Sequence, residues 1–251
     1  MNYKQALGPE ESRTEAISAV TKPNDRQKPP APGPLARDTL CDAAGLLDGV
    51  TRRALGSINL AFLNLAAELA EEGHLRQIAG LPSRAIDVLI DPVAAPRLCA
   101  RLPYALFDFR FGDGNFWTTE VAAASHVQNS GFHAAADERV AAFARAAITV
   151  IWHLAQARPA AARLVFGASP TTIAAVAAMP VVALGRLAYR VAPTLAARFG
   201  SRTRFWLQFE GYASRPDDTS LSLLRQLGLQ IHGAESARVQ SLQRADRRNV
   251  A

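Results

Sequence analysis

The sequence predicts a mainly α-helical fold in which one small helical domain occurs twice in tandem. Three observations predict it. Apolar residues recur at helical spacing in several stretches, as in Ile58–Ala70 (INLAFLNLAAELA) and Ile148–Ala157 (ITVIWHLAQA). A 251-residue chain with 49% hydrophobic and 20% charged residues is long enough for one or two buried cores. The same order of signals then appears twice, about 88 residues apart, too long a period for a solenoid repeat.

The elements follow in order. Residues 1–38 carry mixed charges and the Pro-rich run Gln27-Lys28-Pro29-Pro30-Ala31-Pro32-Gly33-Pro34, which predicts an extended, disordered tail. They hold no apolar stretch of the secretory kind. The first copy is expected over 39–125 and the second over 139–215, with a linker at 126–138 and a short helix plus polar tail at 216–251. Each copy runs from an amphipathic helix to a glycine stop, Gly80 or Gly167. A short apolar helix follows, then Pro92 or Pro180 opening another. Next come Arg110-Phe111-Gly112 with Phe116-Trp117, and Arg198-Phe199-Gly200 with Phe205-Trp206.

Tyr104–Phe111 alternates and is rich in aromatics, so each copy is expected to end in a short β-hairpin. Gly112-Asp113-Gly114 would be the first turn and Ser201-Arg202-Thr203 the second, with Phe116-Trp117 and Arg204–Phe209 as returning strands. Two fused copies form an internal pseudo-dimer. Its core is expected to hold Ile58, Phe62, Leu63, Leu65, Phe111, Trp117, Phe199 and Trp206. Leu164–Gly185 contains no charged residue, but Gly167, Ser169, Pro170 and Pro180 cut it into short helices, so no membrane insertion is expected.

Charge separates the copies. Residues 51–138 sum to −3, whereas 139–209 hold nine arginines and no carboxylate. Arginines without acidic neighbours must face solvent, the acidic first copy or an anionic partner. A phosphate backbone is one such partner. Arg198, Arg202 and Arg204 flank a predicted turn, where their guanidinium groups could converge on DNA. The alternative is pairing within the chain, with Glu68, Glu71, Glu72, Asp87 and Asp91 on offer.

Catalysis finds no support. Cys41 and Cys99 have no neighbouring His, and the five histidines (His74, His126, His133, His153 and His232) form no metal or base pattern. Asp108, Asp113 and Asn115 do not have EF-hand spacing. There is no phosphate loop and no dinucleotide fingerprint. A non-enzyme without a cofactor is expected.

Ile58-Asn59-Leu60-Ala61-Phe62-Leu63-Asn64-Leu65-Ala66, Gly80-Leu81 and Phe109-Arg110-Phe111 followed by Asp113 resemble the flagellar transcriptional activator subunit FlhD family. The second copy is similar in its spacing from Gly167 to Arg198-Phe199. The resemblance covers about half the chain and implies a helical, intertwined dimerisation domain. It implies a cytoplasmic transcription regulator of the bacterial flagellum that binds promoter DNA with an FlhC-type partner subunit, and that can form homo-oligomers. Ser214-Arg215-Pro216-Asp217-Asp218 is similar to the family's S-R-x-D-D stretch, which adds Ser214 and Arg215 to the implied DNA contacts. Family members can carry a cysteine three residues before the F-R-F arginine. Phe107 and Leu195 stand there, so no covalent dimer is implied. The alternative is a protein–protein adaptor of a motility or secretion system that uses the same fold without touching DNA.

Overall fold

The computed structural model describes residues 47–74, 78, 80–81, 94–126, 137–215 and 217–249. The expected tail at 1–38, the short helix after Gly80 and most of the linker lie outside the described residues.

Helix α1, Gly49–Glu71, starts where the Asp48 carboxylate accepts from the Thr51 N–H at 2.7 Å. Its buried face repeats as Leu55, Ile58-Asn59, Phe62 and Leu65-Ala66, the spacing that places one stripe on the core. A short helix α2, Ala94–Cys99, precedes strand β1, Phe107–Asp108. Helix α3, Gly114–Ser125, is capped by Asp113, which accepts from the Phe116 N–H. Helix α4, Glu138–Ala157, is capped by Asp137. Helices α5, Pro159–Phe166, and α6, Pro170–Ala177, are separated by Gly167 in the left-handed region, with Ser169 capping α6. Helix α7, Leu184–Val191, lies between two single 3-10 turns and leads to β2, Ala196–Ala197. Helices α8, Thr203–Ser214, and α9, Asp218–Asn249, complete the described chain.

Three pairs of elements start 89 residues apart: Gly49 and Glu138, Phe107 and Ala196, Gly114 and Thr203. Helices α3 and α8 are both 12 residues long. Strands β1 and β2 pair with each other, antiparallel, with Phe107 opposite Ala197 and Asp108 opposite Ala196. Around this ladder lies a single aromatic core. Phe107 sits 4.9 Å from Phe143 and Phe111 stacks at 5.3 Å on Trp117, while Phe199 lies 4.2 Å from Phe205.

The expected hairpins are corrected. Each half supplies one strand to a shared two-stranded sheet, and neither strand returns on itself. Phe116-Trp117 and Arg204–Phe209 are helical. Asp113 caps α3 in place of a hairpin turn, and the indole N–H of Trp117 donates back to Phe109 O at 3.1 Å. Trp206 does the same to Phe199 O at 2.9 Å. Residues 216–251 are corrected as well: a 32-residue helix fills most of what was expected to be a short helix and a tail.

Leu164–Gly185 is interrupted as expected, with a 107° bend after α6. Among the described residues, α4 is the one single helix long and apolar enough to cross a membrane, and half of its apolar window is buried inside the fold. It packs against α1, α5, α6 and α7, so its apolar face is accounted for by the core.

The two halves also meet backbone to backbone. Gly80, at φ +80°, lies against Gly200, and a Cβ on Gly200 would fall 2.5 Å from the Gly80 carbonyl oxygen. Gly200→Ala must separate two main chains, because no flexible side chain can yield. It is expected to lower stability by about 1–3 kcal/mol, read as a reduced Tm in thermal unfolding.

Candidate functional site

All eight residues expected in the core are buried: Ile58, Phe62, Leu63, Leu65, Phe111, Trp117, Phe199 and Trp206. The core also holds a polar residue that the sequence did not single out. Asn59 is fully buried, donates from Nδ2 to Tyr104 O at 2.9 Å and accepts from the Leu106 N–H at 2.9 Å. It clamps the segment that leads into β1. The available signal was an asparagine on the apolar stripe of α1, where a polar group requires partners.

The candidate DNA-contacting residues do not gather at one place. Arg198 points inward. Its guanidinium donates to the Val165 and Ala105 carbonyls, and its Nη2 lies 3.2 Å from His232 Nδ1 on α9. Gly167 closes the pocket, since a Cβ there would stand 2.7 Å from Arg198 Nη2. Burial pulls the Arg198 pKa down, opposed by the nearby Asp108. Arg198 therefore serves as an internal tie, which corrects the expectation of three arginines converging on a solvent-facing turn. Arg202 is exposed and bonds Glu235 on α9 at 3.2 Å. Arg204 and Arg215, at the two ends of α8, are exposed. Ser214 is the last residue of α8.

The other arginines of the second half mostly reach into the first. Arg139 grips both oxygens of Glu72, at 2.6 and 2.7 Å, and also bonds Asp137. The Arg139 guanidinium beside them holds both carboxyls below the usual carboxylate range. Arg158 meets Asp48 at 3.1 Å, and Arg190 meets Glu120 at 2.6 Å in a largely buried pair. Arg186 donates to Ala124 O at 2.7 Å. With Arg198 on Ala105, five of the nine arginines contact residues 39–125. Arg145 instead lies over the Tyr189 ring within its own half. Exposed pairs of this kind contribute at most about 1 kcal/mol each. Their main effect is to fix the register of one half on the other.

Asp108 is partly buried at the edge of the core and accepts from the Phe111 N–H at 2.9 Å; burial pushes its carboxyl up. It supports the turn in which Arg110 adopts φ +58°, a left-handed conformation uncommon for arginine. Among the described residues, no three His, Cys, Asp or Glu side chains are grouped to hold a metal ion. No family model, no curated protein and no solved structure matches this chain.

Proposed function

We propose that the chain is a regulatory adaptor: an FlhD-like pseudo-dimer fused into one polypeptide, acting in the cytoplasm by binding a protein partner, without catalysis. The observation that carries this reading is the inward turn of the arginines. Arg139, Arg158, Arg186, Arg190 and Arg198 all reach the first half. A surface shaped to neutralise phosphates keeps its cations in solvent, facing one way. Here four of the nine arginines, Arg139, Arg158, Arg190 and Arg202, pair with carboxylates of the same chain, and Arg186 and Arg198 spend their donors on its backbone carbonyls.

The pseudo-dimer part rests on the 89-residue spacing of α1 and α4, β1 and β2, and α3 and α8. The β1–β2 register supports it, since a shift of 89 residues exchanges the pair Phe107–Ala197 with the pair Asp108–Ala196. The indole N–H of Trp117 also donates to Arg110 O at 3.2 Å and that of Trp206 to Phe199 O at 2.9 Å, each seven residues back, so these bonds correspond. A partner of the FlhC type fits this reading.

The second reading is an FlhD-like transcription regulator that contacts DNA directly. It is favoured by the exposed Arg204 and Arg215, which are 11 residues apart and so near one face of α8, with Arg202 beside them. Fluorescence anisotropy with duplex DNA at several salt concentrations separates the two. The adaptor reading expects no salt-steep binding at low salt, and no difference between the native chain and an Arg202→Ala/Arg204→Ala/Arg215→Ala variant. Tight, salt-steep binding that the variant loses would overturn it in favour of direct DNA contact.

A further inference from the structure

We infer that α9 is an acid-sensitive strap: the His232–Arg198 contact latches it over an aromatic seat, and acidification releases it. The seat is defined by named contacts. Tyr104 is buried beneath α9 and donates its hydroxyl to Leu224 O at 2.8 Å. Gly228 lies flush on the Tyr104 ring, where a Cβ would come within 2.3 Å of the ring carbons. Tyr104 in turn meets Phe199 edge-on at 5.3 Å and Phe205 at 6.1 Å. Leu221, Leu224 and Leu229 are the buried apolar side chains that α9 brings.

The remaining ties are polar and lie along the strap. Arg101 bonds Asp218 at 2.8 Å, Arg225 donates to Arg101 O at 2.8 Å, and Arg202 bonds Glu235 at 3.2 Å. The tie at His232 differs because its partner is a cation. Arg198 can only donate, so His232 Nδ1 must accept, which requires a neutral ring. The charged groups facing the ring are Arg198, from the turn after β2, and Arg163, from α5, and both are cations. Asp108 on β1 and Glu235, one turn along α9, act on Arg198. A protonated His232 would lose its hydrogen bond and face two like charges.

The direction follows. Burial and Arg198 lower the His232 pKa from 6.5 to about 4. Seated α9 therefore disfavours the proton. The contribution of the latch is complete above about pH 6.5 and falls as the pH drops from there toward 4. From these two values the seating equilibrium is expected to weaken about 27-fold between pH 7.5 and pH 5. Release would bare Tyr104, Phe199 and Phe205, an aromatic surface shaped to take a helix.

Hydrogen exchange of the α9 amides in the full chain tests this, after correction for the intrinsic effect of pH on exchange. The expected result is about a 27-fold loss of protection over residues 218–235 at pH 5, abolished in His232→Gln, which can accept from Arg198 but does not titrate. Unchanged protection in the native chain, or an equal loss in His232→Gln, would overturn the proposal. If His232→Gln fails to seat α9 at pH 7.5, Arg202→Gln replaces it as the comparison. A native pH slope in that variant supports His232 as the sensor, and a lost slope assigns the response to Glu235 and overturns the latch.

Discussion

Replacing Asn59 by leucine is expected to lower stability by about 2–6 kcal/mol, among the largest effects of any single change in α1. The side chains are similar in volume, so the loss is not a cavity. It comes from the two main-chain groups that Asn59 serves. Without the amide, the Tyr104 carbonyl and the Leu106 N–H are left buried without their partner. Each orphaned group costs about 1–3 kcal/mol. Asn59→Asp tests the chemistry separately. A carboxylate still accepts from Leu106 N–H but cannot donate to Tyr104 O, and its charge is buried. It should destabilise at neutral pH and recover partly on acidification, as the buried carboxyl gains a proton. Chemical denaturation of both variants at two pH values checks this.

Phe199→Ala is expected to cost about 3–5 kcal/mol, and Phe111→Ala a similar amount. Both rings are fully buried. Phe199 fills the space between Tyr104 and Phe205, so its removal leaves a cavity lined by aromatic rings that cannot collapse easily. Phe111 is stacked on Trp117 and edge-on to Phe166 at 5.4 Å. The two variants should unfold with a single transition, because the core is continuous between the halves. Unchanged melting in both would remove these residues from the core.

The aromatic landmarks were legible in the sequence because large rings in an Ala-rich chain have few places to go except the core. Ser169 and Gly167 were legible for a local reason, since caps and stops act on their own neighbours, whereas Asp113 was read as a hairpin turn and caps a helix instead. The hairpins were not. Phe107, Phe109 and Phe111 do alternate with less buried Asp108 and Arg110, as a strand would. Only two residues of the segment find a ladder, with a strand that starts 89 residues on, and the chain bends on either side of them, with Arg110 at φ +58°. In α8 the aromatic spacing Phe205, Trp206, Phe209 and Tyr212 is helical, which the short window Arg204–Phe209 hid.

The C-terminal helix was expected to be short and spans 32 residues. Gly228 lies in its interior because the Tyr104 ring leaves no room for a side chain there. The destinations of the arginines were legible only in part: pairing with the first half was one of the readings and Glu72 was named for it, but Asp48 and Glu120 were not. Composition shows that 139–209 lacks carboxylates, but only the fold shows that Glu72, Asp48 and Glu120 come within reach.

The central claim is that the two halves of one chain close on each other, with second-half arginines directed at the first half. Cross-linking tests it most directly. A Cys41→Ser/Glu120→Cys/Arg190→Cys chain places two reactive thiols where the native pair meets at 2.6 Å. Cys99 stays silent, since burial pushes its thiol up to about 12. Treated with a short bis-maleimide in dilute solution, this chain is expected to cross-link within itself and run at the mass of a single chain, 26.9 kDa. A product dominated by linked pairs of chains would show that the halves meet between molecules and would contradict the account.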